Sequence, residues 1–213
     1  MAGKKAEHEL PESWFTTERI IGFSDSIFAF SITLLALNID LPDSLPAGQL
    51  IASLMALGPH IFHYAISFFV VGSFWMQHHN IFRHIRKYDR VLMWLNLLFL
   101  MLITFAPFLT DMMSDYAGYP IPVIIYSVYL GTCSLLMLLL WLYASHEKRL
   151  VHPQVPGYII NSIRFRAIAV VIIFFLSAVL AFYDPFLAQM SWLSTFALFY
   201  LAQLLFKKQK NGQ

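Results

Sequence analysis

The chain has 213 residues, 59% of them hydrophobic and only 12% charged, with a formal net charge of +2. A single water-soluble core of this length cannot hide so large an apolar fraction. The composition therefore excludes an ordinary soluble domain and points to a bilayer as the solvent.

Hydropathy predicts an all-α, polytopic membrane protein with six transmembrane helices, at about 17–39, 48–83, 89–113, 119–145, 160–183 and 186–206. The first 19 residues mix Lys with Glu and lead into an apolar stretch without a small-residue cleavage pattern, so a signal peptide is not expected. The second stretch is too long to be a membrane span alone. Either its last turns, from His79 onward, continue as helix beyond the bilayer, or the helix breaks at Gly58-Pro59. One membrane domain, 17–206, is expected between a short N-terminal segment, 1–16, and a tail, 207–213, with no repeat and no linker long enough to divide it.

Charge placement supplies an independent test of six crossings. Lys4, Lys5 and Arg19 precede or open the first span; Arg83, Arg86, Lys87 and Arg90 lie between the second and third. Lys148, Arg149, Arg164 and Arg166 fall between the fourth and fifth, and Lys207, Lys208 and Lys210 follow the sixth. These are all 14 basic residues, and six spans put every one on the same side. The opposite loops hold Asp40, Asp43, Asp111, Asp115 and Asp184 without a single Lys or Arg. Because cytoplasmic loops accumulate Lys and Arg, both termini are expected in the cytoplasm. The asymmetry is bilayer orientation rather than a nucleic-acid footprint, and no nucleic-acid partner is expected. Cys133 is the only cysteine, which excludes an intrachain disulfide or a CxxC site.

Within the first span, Asp25 sits among Ser24, Ser26, Ser31 and Thr33. A carboxylate near the middle of a membrane helix costs on the order of 2–3.5 kcal/mol, so Asp25 faces protein or water rather than lipid. Its role is either a structural bond to another helix or part of a wet path. At 100° per residue Phe23, Ser26, Phe30, Thr33, Leu34 and Leu37 share one stripe, and Asp25 points away from its centre. That stripe is either ordinary helix packing or the lining of a central axis, where symmetry copies would stack Phe30, Thr33, Leu34 and Leu37 into a narrow, mostly apolar throat.

Five of the eight histidines lie on the second helix, and Trp75, His78, His79 and Phe82 share one face of it. Three readings stand open for these imidazoles: metal or haem ligands, proton carriers or sensors, and hydrogen-bonded structural groups. No HExxH motif is present, no histidine partner on another helix lies at matching depth, and neither a metal site nor a cofactor is assigned.

Arg19, Phe23, Ser24 and Asp25 form an R-x3-F-S-D pattern opening the first helix, and Trp75-x2-His78-His79 closes the second. With the F-A-x-x-I-T-L-L-x-L run from Phe28 to Leu37, the chain resembles the bacterial members of the transmembrane protein 175 family, the endosomal and lysosomal potassium channels. The resemblance implies a homotetramer in a bacterial cell membrane whose first helices line a pore for monovalent cations, potassium foremost, without a TVGYG-type filter. It implies constriction layers at Phe30, Leu34 and Leu37 with a selectivity-linked threonine at Thr33. The motif residues Arg19, Ser24 and Asp25 would hold helices together through Trp75 and His78 or His79 and would not touch the ion. The chain departs from the family at Phe30, where the narrowest layer is usually isoleucine or leucine. Four phenyl rings there would either plug the axis or offer their quadrupole faces to a cation. An apolar throat gates by dewetting, and acidic outer loops raise the local cation concentration.

Two other functions compete. A proton-coupled transporter would use Asp25 and the second-span histidines as carriers, although the inverted repeat common in transporters is missing. A membrane redox or hydrolytic enzyme would be built on the histidines, but no Ser/His/Asp or Cys/His spacing designates a catalytic residue.

Overall fold

The computed structural model describes residues 17–40, 48–195, 197 and 198. The segment 1–16, the loop residues 41–47 with Asp43, residue 196 and residues 199–213 lie outside it, and with them the C-terminal part of the expected sixth span and the tail lysines. Among the described residues the fold is helical, apart from one isolated antiparallel bridge between Ile85 and Val151. Its elements are α1 (Thr17–Leu34), which tightens into a 3-10 turn at Leu35–Asn38, α2 (Leu50–Ala56), α3 (Gly58–Phe82), α4 (Arg90–Ile103), α5 (Ala106–Asp115), α6 (Pro120–Ser145), α7 (Gly157–Leu180) and α8 (Pro185–Trp192). Among the described residues, five helical stretches are long and apolar enough to cross a bilayer: Thr17–Leu37, Leu50–Phe82, Arg90–Asp115, Pro120–Lys148 and Gly157–Leu180. The chain is a multi-pass membrane protein.

Proline sets the interruptions. The second stretch pauses at Leu57, and Pro59 falls in the first turn of α3, where its missing N–H costs nothing. The pause falls next to the expected Gly58-Pro59 break, and α3 then runs on as helix past His79 to Phe82. The third stretch turns at Thr104 and Phe105 between α4 and α5, a feature not expected from the sequence. Its cause is Pro107, which offers no N–H to the Ile103 carbonyl and whose ring crowds it, so the Phe105 N–H bonds Leu102 instead, at 2.9 Å. Two helices start at aspartate caps. Asp89 accepts from the Leu92 N–H at 3.0 Å, and Asp184 from Phe186 and Leu187 at 2.9 and 3.0 Å.

α6 is the central helix and packs most closely on α7. A Cβ on Gly131 would lie 3.0 Å from the Phe175 ring, so glycine is what lets the two helices approach. Bilayer lipid is as apolar as leucine, so packing and internal polar contacts bind the bundle more than hydrophobic burial does. Three buried clusters supply such contacts. Ser67 Oγ of α3 stands 2.8 Å from Thr110 Oγ1 of α5 and 2.9 Å from Tyr126 OH of α6. Ser177 Oγ of α7 receives the Trp192 indole N–H of α8 at 2.7 Å and lies 3.1 Å from Ser127 Oγ of α6. The third cluster stands behind α1.

The loops collect at two ends. At one, the amides of Arg86 and Lys87 bond the Leu150 carbonyl, and the His152 amide bonds His84, so segments 83–89 and 146–156 interlock. At the other, Gly58, Pro59, Ala117, Gly118, Pro185 and Phe186 surround one cavity. Arg83, Arg86, Lys87, Lys148 and Arg149 therefore share the first end, and the turns beside Asp115 and Asp184 share the second.

Candidate functional site

α1 has two chemically distinct faces. Ile20, Ser24, Phe28, Ser31 and Leu35, spaced by three or four residues, are buried against the rest of the subunit. Gly22, Phe23, Ser26, Ala29, Phe30, Thr33, Ala36 and Leu37 are exposed, with Phe30 at 64% and Leu37 at 72% of full accessibility. The expected stripe is therefore uncovered in the single chain along most of its length. Leu34 is half-buried and stands at its edge.

The hydroxyls on this face have a fixed polarity. Ser26 Oγ donates to the Gly22 carbonyl at 2.9 Å and Thr33 Oγ1 to the Phe30 carbonyl at 2.8 Å. Each proton is committed to the helix backbone, which leaves the oxygen lone pairs for the surroundings. An exposed row of lone pairs between apolar side chains suits a partly dehydrated cation and repels an anion.

Behind this face, α1, α3 and α4 are joined by a directional chain of hydrogen bonds. His78 Nε2 lies 2.9 Å from Asn96 Oδ1, Asn96 Nδ2 donates to Ser24 Oγ at 3.2 Å, and Ser24 donates to the Ile20 carbonyl at 2.9 Å. An amide oxygen only accepts, so His78 carries its proton on Nε2. Its ring lies at centroid distances of 4.2 Å from Phe82, 5.7 Å from Phe28 and 5.9 Å from Phe99. A primary amide passes no proton from its oxygen to its nitrogen, so this chain fastens helices and is not a proton wire. Alongside it, the Trp75 indole N–H donates to Asp25 Oδ1 at 2.8 Å.

Not every residue on the expected face of α3 is buried. His78 and Phe82 are, whereas Trp75 and His79 are exposed, with their rings 6.1 Å apart. α3 thus turns one edge of that face inward and leaves the other uncovered in the single chain. Arg19 is exposed at the start of α1, where with Phe23, Met93 and Asn96 it lines a crevice of about 360 Å³ between α1 and α4. Sequence reasoning missed Asn96. Its signal was a lone amide in the apolar run from Val91 to Ile103.

Asp89 was missed too. Besides capping α4, it accepts from Tyr143 OH of α6 at 2.5 Å and pairs with Arg149 at 3.2 Å. Partial burial pushes its carboxyl up, but the Leu92 amide, Tyr143 and Arg149 outweigh that and hold it below the usual carboxylate range. In the same loop, burial lowers the His84 imidazole, and Arg83, His152 and Arg166 lower it further.

Comparison with known proteins bears on this arrangement. The family model described as endosomal/lysosomal potassium channel TMEM175 matches residues 19–107, from the start of α1 to the turn into α5. The chain is similar to a protein of Streptomyces collinus named as a potassium channel, 34% identical over 152 residues, which are 70% of this chain and 74% of that one. A similarly named protein of Chamaesiphon minutus is 33% identical over 160 residues, 73% of this chain and 78% of its own. A human protein named endosomal/lysosomal proton channel TMEM175 is 37% identical over 111 residues, 48% of this chain but only 22% of that one. Among solved structures, that of a lysosomal potassium-selective channel TMEM175 homolog from Chamaesiphon minutus superposes with a TM-score of 0.77 at 24% identity, covering 87% of this chain and 97% of the other. At that identity the likeness is one of fold.

Proposed function

The chain belongs to the TMEM175 family, and from that premise we propose that it is a channel for monovalent cations, potassium foremost, formed by four copies around an axis lined by α1. The observation that carries this reading is the uncovered face of α1, whose hydroxyl oxygens are turned outward while its other face is fastened to α3 and α4. A subunit that leaves this face of a membrane helix to its neighbours supports assembly through it. The bacterial relatives named as potassium channels support the choice of ion. In this reading Phe30, Thr33, Leu34 and Leu37 form the throat and gate it by excluding water. Arg19, Phe23, Ser24, Asp25, Trp75, His78 and His79 hold the helices in register, and the basic end of the bundle lies in the cytoplasm.

The test is potassium flux into liposomes holding the purified chain, combined with a subunit count in lipid. Four subunits and a potassium flux raised several-fold by Leu37→Ala are the expected results. A monomer, or wild-type and Leu37→Ala and Leu34→Ala proteins all silent, would remove the proposal.

A second reading is proton permeation, favoured by the human relative's name. The pathway would be the same axis, because the amide of Asn96 interrupts the polar chain behind it. A pH-driven proton current that survives Asn96→Leu while Leu37→Ala alters it would establish this reading over potassium selectivity.

A further inference from the structure

At the acidic end of the bundle, His60 in the first turn of α3 meets Asp111 and Asp115, which stand one turn apart at the end of α5. One donor atom from each of the three residues lies within 4.8 Å of the others. Two carboxylates at that separation repel each other and need a positive charge nearby. Neither pairs with a lysine or arginine among the described residues, and the basic loops interlock at the opposite end. His60 is the one imidazole in the group, and its buried Nδ1 finds no hydrogen-bond partner among the described residues. An imidazole with one unpartnered ring nitrogen, grouped with two carboxylates that no lysine or arginine neutralises among the described residues, calls for a ligand. Asp115 is exposed and Asp111 and His60 half-buried, so one side of the group is open to water.

We propose that His60, Asp111 and Asp115 bind a divalent transition-metal ion, with zinc as the type case, and so tie α3 to α5. Two carboxylates and one imidazole form the mixed nitrogen–oxygen donor set that suits such ions, whereas magnesium and calcium favour oxygen alone. Two carboxylate charges match a dication. Bonds of about 2.0–2.2 Å put tetrahedral zinc ligands about 3.3 Å apart, so the three side chains need close by no more than roughly 1.5 Å, through rotation about their own bonds. Water from the open side fills the fourth position. The sequence offers no hint of this group, because His60 and the two aspartates become neighbours only when α5 folds back along α3. α5 also packs on the 3-10 turn that ends α1, so the ion would brace the outer end of that helix.

The full chain, purified in detergent and stripped of metal, is titrated with cobalt(II) at pH 7.5 while the visible d–d bands are recorded. Zinc and magnesium then compete separately. One cobalt per chain, displacement by zinc and no displacement by a tenfold excess of magnesium are expected. Asp111→Asn, Asp115→Asn and His60→Gln should each weaken binding at least about tenfold, with His152→Gln, at the opposite end, as the unaffected control. A wild-type titration without a saturable band overturns the proposal without recourse to any variant. Unchanged affinity in all three variants overturns it as well. Binding is read without ion flux, so its failure and the failure of the channel reading remain separate results.

Discussion

The indole N–H of Trp75 meets the Asp25 carboxylate at 2.8 Å, linking α3 to α1 at a half-buried position beside the uncovered face. Polar contacts of this kind between membrane helices are worth about 0.6–2 kcal/mol. Trp75→Phe keeps the ring and removes the donor, so it is expected to cost about 1–2 kcal/mol in SDS-titration unfolding. Asp25→Asn keeps an acceptor and should cost less than Trp75→Phe. If Asp25→Asn instead abolishes transport while leaving stability and assembly intact, Asp25 is a carrier and the transporter reading is restored.

Asn96 couples His78 to Ser24, and because Ser24 also bonds the Ile20 carbonyl, removing Asn96 strands the His78 N–H alone. Asn96→Leu should cost about 2–3 kcal/mol, because the His78 N–H then faces aliphatic carbon with no acceptor. His78→Phe in the same chain removes the stranded donor and extends the aromatic packing with Phe28, Phe82 and Phe99. The double variant should therefore be more stable than the sum of the singles, by about 1 kcal/mol in a double-mutant cycle. Strict additivity would show that the bond has no energetic weight.

Hydropathy reveals the spans because a bilayer demands about 20 apolar residues per crossing, whatever else they do. The same measure is blind to backbone hydrogen bonding, and so the turn before Pro107 passes unnoticed inside an unbroken apolar run. Asp25 and Trp75 stand out in the sequence because a charge and a large indole are costly or rare in that setting. Asn96 stands out only as a lone amide among leucines, and its partners are not visible until α4 packs on α1 and α3. Spacing also placed Trp75 and His79 on the face that carries His78 and Phe82. Helical period fixes which residues share a face, but not how far a neighbouring helix extends across it.

On α1, the exposed positions separate folding from conduction. Phe30 and Leu37 touch little within their own subunit, so their alanine variants should leave subunit stability within about 0.5 kcal/mol of wild type. Thr33→Val keeps shape and loses the outward oxygen, and it should lower the potassium-over-sodium flux ratio several-fold. Thr33→Ser, which retains the oxygen, should restore most of it. If Thr33→Val matches wild type in both ratio and rate, the hydroxyl face plays no part in selecting the ion.

Acid should loosen the interlocked loops in two separate steps. The folded His84 imidazole binds its proton less readily than in the unfolded chain, because it is partly buried beside Arg83, His152 and Arg166. Its contribution to stability is therefore complete above about pH 6.5 and declines as the pH falls from there toward its lower folded value. Asp89 behaves differently. Its carboxyl is held below the ordinary range, so its contribution is complete above about pH 4 and fades only as the pH falls through its folded value. Loosening between pH 6.5 and 5 thus belongs to His84, not to Asp89. Hydrogen exchange at the Arg86, Lys87 and His152 amides, which hold the two loops together, reads this directly once intrinsic rates are corrected. Protection should drop between pH 7.5 and 5.5 in the wild type, and His84→Gln should remove that drop. Asp89→Asn should lower protection at both values and leave the difference between them in place. Equal wild-type protection at the two values would mean that His84 takes up its proton without disturbing the clasp.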